Sequence, residues 1–350
     1  MRGLVLAGVG RVALRTDLPE PRLEAPTDAL VAVHAAGLCG SDLHPYEGRE
    51  PAGFGVVQGH EVVGEVVACG TAVTGIEVGQ RVLAAFSTSC GTCPPCRRGL
   101  TARCVHSRLL GWGPPDPAAG AALHGAQAER VRIPHAQGTL VPVPDELDDA
   151  TALLCTDNLP TAWEAVARAE MVPGEPLVVV GLGAVGLCAT AVARALGADP
   201  VIGVDPVADR RARAASLGAA TTLDPVQAVA HAAELASPAV VEASGSVAGQ
   251  RLAVDLVRPG GVCSIIAVQT APSFALSPIE AYDRNLTLRL GRASARATLE
   301  HLLPRVVAGT LPAPTAACVT HRGVPLEQGP SLYARFAARE PGLLKAGFTP

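Results

Sequence analysis

The stretch Leu177-Val178-Val179-Val180-Gly181-Leu182-Gly183-Ala184-Val185-Gly186 runs a four-residue apolar strand straight into a G-x-G-x-x-G turn. A helical stretch continues from it to Leu196. In that strand–turn–helix context each glycine has a separate reason to be there. Gly181 permits the tight turn, and Gly183 lets the backbone approach a pyrophosphate. Gly186 lets the helix lie close on the strand. Ala184 and Val185 open the helix, whose free N–H groups receive phosphate charge. Nineteen residues past Gly186, Asp205 ends the next apolar run, Val201-Ile202-Gly203-Val204. A carboxylate there accepts hydrogen bonds from an adenosine ribose and repels a 2′-phosphate, so the motif predicts NAD rather than NADP. Arg210 and Arg211 come next on a predicted helix. Arg210 is a further cofactor-binding candidate, and a solvated helix face is the alternative.

Outward from this motif the same texture repeats. Strands are expected at Leu177 to Val180, Val201 to Val204, Ala219 to Leu223, Ala239 to Ala243, Val262 to Val268 and Leu286 to Leu290, with Ala-rich helical stretches between them. Six strands with intervening helices predict a doubly wound parallel sheet, an α/β fold. The N-terminal part reads differently. Short apolar runs such as Ala29 to Val33, Val62 to Val67 and Arg81 to Ala85 are separated by Gly and Pro, which predicts a β-rich, barrel-like or sandwich-like domain. Residues 113–125, rich in Pro, Ala and Gly, are expected to form a loop.

Bulk properties narrow the class. A chain of 350 residues with 49% hydrophobic and 17% charged residues suits about two compact domains. The formal charge of −4 leaves no basic footprint for nucleic acid or an anionic membrane. No apolar run reaches the ~20 residues needed to span a bilayer. Met1 to Gly10 reads as a first strand without a signal-peptide cleavage pattern, so a cytoplasmic enzyme is expected.

Four of the ten cysteines, Cys90, Cys93, Cys96 and Cys104, fall within fifteen residues in a segment dense in Gly and Pro. Four thiolates at this spacing can wrap one tetrahedral Zn²⁺ and leave no open position, which makes the site structural. An iron–sulfur cluster uses the same ligand set. Disulfides are disfavoured by compartment and by the short loops they would close. A second constellation lies in two turn-like segments, Gly37-Leu38-Cys39-Gly40-Ser41-Asp42-Leu43-His44 and Gly59-His60-Glu61.

The glycine motif, the cysteine quartet and these two segments together resemble the zinc-containing medium-chain dehydrogenase/reductase (alcohol dehydrogenase) family. The likeness runs from the first strand to Thr320-His321-Arg322. It implies a GroES-like catalytic domain formed by residues 1–154 and 292–350, with a structural zinc lobe at about 88–106. A Rossmann NAD-binding domain is inserted at 155–291. It also implies an active site between the two domains and two zinc ions per chain. Cys39 and His60 resemble two ligands of the catalytic zinc. The third is sought in Leu153-Leu154-Cys155-Thr156-Asp157-Asn158-Leu159-Pro160-Thr161. Counting back four residues from Thr161 selects Asp157, with Cys155 left as a buried thiol. This pattern is similar to the glutathione-independent formaldehyde dehydrogenase, secondary alcohol and threonine dehydrogenase branch. Glu61 resembles an acid that approaches the metal when substrate is absent, a conditional fourth ligand. Ser41 resembles the hydroxyl that takes a proton from the alcohol, and His44 the imidazole that passes it on. Asp42 is expected to support the ligands from behind. Val268 is expected to meet the nicotinamide carboxamide through its backbone, and Lys345 to reach the pyrophosphate.

The resemblance thus implies hydride transfer between a small alcohol or aldehyde and NAD, in a homodimer or homotetramer, with no nucleic-acid or membrane partner. Two alternatives stay open. One is a formaldehyde dehydrogenase or dismutase with tightly bound NAD, for which the Gly111–Gly125 stretch is short. The other is a zinc-supported binding or regulatory protein without activity. Phe54, Trp112 and Leu159 are candidate pocket residues, and the sequence does not name the substrate.

Overall fold

The computed structural model describes residues 1–116 and 118–350. Strands β1 (Gly3–Gly8), β2 (Arg11–Arg15), β3 (Ala29–Leu38), β4 (Val62–Cys69), β5 (Arg81–Ala84), β6 (Arg130–Ile133) and β7 (Leu140–Pro142) come first. They are succeeded by β8 (Leu177–Val180), β9 (Val201–Val204), β10 (Thr221–Leu223), β11 (Ser237–Glu242), β12 (Val257–Ile265) and β13 (Thr287–Leu290). Strands β14 (His321–Pro325) and β15 (Ala346–Thr349) close the chain. The chain divides into two compact units, one of residues 1–157, 294–303 and 319–350, the other of residues 158–293 and 304–318.

In the first unit β1 and β2 form a hairpin, and seven strands form a sheet in the order β14-β15-β3-β4-β5-β7, with β6 also on β3. β3 is the organising strand. Its first half pairs with β6 on one side, its last residues pair with β15 on that same side, and β4 runs antiparallel along the other. Its alternating apolar residues Ala29, Val31 and Val33 face a core that includes Leu4, Val66, Ile133, Tyr333 and Phe348. The β3–β4 register brings two distant loops together. Ala36 stands opposite Val62 and Gly37 N–H donates to Glu61 O, so the residues just after β3 and just before β4 meet at one end of the sheet.

In the second unit six strands form an all-parallel sheet in the order β10-β9-β8-β11-β12-β13. Strands β8 and β9 are buried along their whole length, as expected where helices cover both faces. The order reverses between β8 and β11, the place where such sheets bind ligands outside the strands' carboxyl ends. β8 and β9 coincide with the expected spans, whereas β10, β11 and β13 are shorter or shifted. β12 begins at Val257 and stops at Ile265, so Val268 lies beyond the strand that was expected to carry it.

The tail also departs from expectation. Residues 304–318, expected with the first domain, group with the second unit. The contacts explain it: the Arg305 guanidinium lies 5.1 Å from the centre of the Trp163 ring, and Arg213 donates to Ala317 O at 3.0 Å. In the expected 113–125 loop, Leu123 forms an isolated bridge with Trp112, and Pro117 lies outside the described residues. Among the described residues no helix is long and apolar enough to cross a membrane.

The glycine turn shows why the motif needs its spacing. Gly181 has φ +91°, and a Cβ on it would meet Ser244 N at 2.6 Å. A Cβ on Gly186 would fall 1.8 Å from Gly181 O, whereas one on Gly183 meets nothing within 4 Å. Gly186→Ala is therefore expected to lower stability by about 1–3 kcal/mol through overpacking, read as a shift of the denaturant midpoint. Gly183→Ala should leave that midpoint nearly unchanged and instead obstruct whatever approaches the turn.

Candidate functional site

Cys39 succeeds the last residue of β3 and caps the short turn Gly40–Asp42. The turn folds the Asp42 side chain back, and its Oδ2 accepts from Cys39 N–H at 2.9 Å. Its Oδ1 lies 3.0 Å from Nδ1 of His60. One carboxylate thus fixes the backbone of the first donor and the ring of the second. Binding Nδ1 leaves Nε2 of His60 as the free donor, the usual arrangement behind a metal-bound histidine. Asp157 closes the helix Asp149–Thr156 with φ −144° and ψ −65°, a break that ends the helical run.

Cys39 Sγ, His60 Nε2 and carboxylate oxygens of Glu61 and Asp157 lie within 4.8 Å of one another. Cys39 Sγ is 3.4 Å from Asp157 Oδ2, and His60 Nε2 is 3.6 Å from it. Ligands at ordinary zinc distances subtend tetrahedral edges of about 3.3–3.6 Å, so both separations match the edges of a zinc tetrahedron. Charge points the same way. Burial and then the Asp157 charge push the Cys39 thiol up. Burial alone would lower His60, yet Asp42 and Asp157 hold it well above its ordinary value. Three acidic groups around one imidazole in a buried space favour a cation at their centre. Cys155 is fully buried and its thiol is pushed up to about 12 by burial alone, the behaviour of a core residue.

Ser41 Oγ lies 3.4 Å from His60 Nε2, beside the donors. His44 is buried in the short helix Leu43–Tyr46, and its Nδ1 has no partner among the described residues. Burial and the Arg49 charge lower it to about 4, so it is neutral at pH 7. Glu61 is fully buried over Gly37, where a Cβ would fall 1.8 Å from its Oε2. Its Oε1 has no partner among the described residues.

Lys345 is a correction. Expected at the pyrophosphate, it stands just before β15 with its side chain 1% exposed, and its ammonium donates to Glu61 Oε2. Burial alone would lower its pKa, but the Glu61 charge raises it, so the lysine stays charged. A buried ammonium needs a carboxylate, and in this fold β15 runs beside β3 and delivers it to Glu61. The signal was available in Leu343-Leu344-Lys345-Ala346-Gly347-Phe348, where one charge interrupts an apolar run. Sequence reasoning also passed over Gln127, which is buried, donates to Gly37 O at 2.9 Å and accepts from Tyr333 OH at 2.9 Å.

The sulfurs of Cys90, Cys93, Cys96 and Cys104 also cluster within 4.8 Å, as free thiols. Cys93 Sγ and Cys104 Sγ are 3.8 Å apart, close to the ~3.8 Å edge of a tetrahedron with zinc–sulfur bonds of about 2.3 Å. Backbone N–H groups of Cys90 and His106 point at Cys104 Sγ, and that of Cys93 at Cys90 Sγ. These donors suit thiolates. In the second unit, Asp205 is buried, with Oδ2 accepting from Leu182 N–H and Oδ1 from Val207 N–H, both at 2.8 Å. It thereby ties the end of β9 to the glycine turn. Arg210 Nη1 lies 3.7 Å from Asp205 Oδ2. Val268 is 43% exposed, with its carbonyl against Gly245.

Residues 25–145 match the alcohol dehydrogenase GroES-like domain family and residues 184–307 the zinc-binding dehydrogenase family. A Mycobacterium tuberculosis protein named "Probable zinc-binding alcohol dehydrogenase" is 36% identical over 97% of this chain and 86% of its own length. An alcohol dehydrogenase of Cupriavidus necator is 30% identical over 100% of this chain and 99% of its own. The structure of an alcohol dehydrogenase from Thermus sp. ATN1 superposes with a TM-score of 0.89 at 36% identity, covering 100% and 99% of the two chains. The arrangement is that of an oxidoreductase with a GroES-like domain and a Rossmann domain. The chain belongs to the zinc-containing alcohol dehydrogenase family of medium-chain dehydrogenases/reductases.

Two outcomes test this site. Asp157→Ala is expected to release about one metal equivalent per chain while the quartet keeps its own, as measured by elemental analysis after dialysis. His44 binds its proton at about 4 when folded and near 6.5 when unfolded, so the unfolded chain holds more protons between those values. Stability should therefore rise with pH across that window and fall on acidification. His44→Gln should flatten this part of the profile in denaturant titrations.

Proposed function

We propose that the protein is a zinc-dependent dehydrogenase that moves a hydride between a small alcohol and NAD, giving an aldehyde or ketone reversibly. The observation that carries this reading is the Cys39, His60 and Asp157 trio, spaced for one metal and braced from behind by Asp42. Three protein ligands leave a position for a substrate oxygen, unlike the closed cysteine quartet. Bound there, zinc would supply Lewis acidity, and a nicotinamide would supply the hydride acceptor or donor.

The chain's own groups divide the remaining work. Ser41 Oγ, beside His60 Nε2, accepts the hydroxyl proton of the alcohol. His44, with a buried Nδ1 that has no partner among the described residues, is the next group that would pass it on. Glu61 has a carboxylate oxygen within 4.8 Å of the donors while Lys345 holds its Oε2, so the acid is tethered within reach of the site. Gly181, Gly183 and Gly186, with the helix opening at Ala184 and Val185, form the pyrophosphate cradle. The open space at Gly183 supports this. Asp205 supports NAD over NADP, because each carboxylate oxygen keeps a lone pair for a ribose hydroxyl beside its one backbone bond. Arg210, 3.7 Å from Asp205, would serve the same end of the cofactor, and the Val268 backbone the nicotinamide end. Self-association is part of the proposal, since Ile279 and Tyr282 on the helix Pro278–Asp283 and Leu290 at the end of the edge strand β13 are 73%, 82% and 55% exposed.

Turnover of a panel of primary, secondary and polyhydric alcohols with each cofactor tests the reading. We expect kcat/KM to favour NAD by about tenfold or more, the effect of roughly 1.4 kcal/mol of repulsion at Asp205. Equal or better use of NADP overturns the cofactor assignment. About one metal per chain in a fully active preparation overturns the two-site assignment.

A further inference from the structure

Glu242 is the last residue of β11 and stands opposite Val180, the last residue of β8 before the glycine turn. These two strands flank the point at which the sheet order reverses. The side chain is fully buried. Its Oε1 accepts from Ser244 N–H at 2.8 Å, Ser244 Oγ at 2.5 Å and Gly245 N–H at 3.0 Å. Its Oε2 faces Gln269 Nε2 at 3.4 Å, and Gln269 Nε2 also donates to Ala267 O at 2.9 Å. Gln250 Nε2 donates to Gln269 Oε1, and Ile266 N–H to the Glu242 carbonyl at 3.0 Å.

One carboxylate therefore sets two loops at once, residues 244–246 after β11 and residues 266–269 after β12. Their positions matter to their neighbours. Ser244 backs Gly181, and Gly245 lies under the Val268 carbonyl, where a Cβ would sit at 3.0 Å. Placing a carboxylate at the mouth of a phosphate-binding crevice is electrostatically adverse to the ligand. It is understandable only if the residue's task is internal. Three donors from a single turn converge on one oxygen, and charge-assisted bonds of this kind hold a turn more firmly than an amide does.

We propose that Glu242 is a positioning residue for the nicotinamide half of the dinucleotide. Asp205 marks the β9 side of the crevice as the adenosine half, so the second mononucleotide falls on the β11–β12 side, against the two loops that Glu242 joins. The inference rests on the proposed dinucleotide site of the second unit. No residue of the network is a metal-ligand candidate, so zinc content is an independent control.

The test is titration of NADH and of AMP, by calorimetry, into the zinc-loaded protein and its variants. AMP probes the adenosine side alone. Glu242→Ala is expected to weaken NADH about tenfold or more while AMP affinity stays within about twofold. Glu242→Gln, which keeps one acceptor oxygen, should recover part of the loss. Where Glu242→Ala does not fold, Gln269→Ala cuts the tie to the second loop and should show the same split between NADH and AMP. Parallel weakening of both ligands, or unchanged NADH binding, overturns the proposal. Failure of the unaltered protein to bind NADH is a separate result that overturns the dinucleotide reading, and the proposal with it.

Discussion

Three acidic side chains, Cys39, Glu61 and Asp157, are held within 4.8 Å of one another and of His60 in the interior of the first unit. Buried like charges repel strongly, and much of the surrounding structure is arranged to oppose that repulsion. Asp42 turns the His60 ring so that its free nitrogen faces the acids, and Lys345 brings a full positive charge against Glu61. A divalent cation held there would favour the Cys39 thiolate and offset Asp157, while Lys345 faces Glu61. Without the lysine the same cluster would carry an excess negative charge next to an apolar core.

The same constraint explains the construction of the sheet. The β3–β4 register puts the end of one strand beside the start of the next, which brings Cys39 to His60 and Glu61. β15 lies on the other side of β3 and carries Lys345 in from the far end of the chain. Sequence separation is large and spatial separation small, so the loop-closure entropy has to be met by the apolar burial along β3. A substitution that slipped the β3–β4 register by one residue would turn the donors away from one another and reverse every side chain of the strand.

The second unit solves a different problem with backbone groups. Its glycine turn offers N–H donors and open space at Gly183. Two buried carboxylates, Asp205 and Glu242, hold the turn and the facing loops by accepting backbone bonds. Each carboxylate is adverse to a phosphate through space and useful through the geometry it enforces. That division of roles accounts for acidic residues at the mouth of a crevice that would receive an anion.

Much was legible in the linear chain because it depends on local rules. The strand–G-x-G-x-x-G–helix junction, the carboxylate at the end of the next strand and the spacing of the four cysteines are short-range patterns whose chemistry demands those residues at those separations. The family resemblance singled out Asp157 over Cys155; in the fold Asp157 lies with Cys39 and His60, and Cys155 is fully buried. What only the tertiary structure decided depends on contacts between distant segments. Lys345 belongs to Glu61 because β15 pairs with β3. Residues 304–318 belong to the second unit because Arg305 finds Trp163. Val268 lies beyond β12, and Glu242 joins two loops that no local pattern relates. Periodicity records which face of an element is buried, but it does not record which partner a buried charge will meet, and here that partner is set by strand pairing across nearly the whole chain.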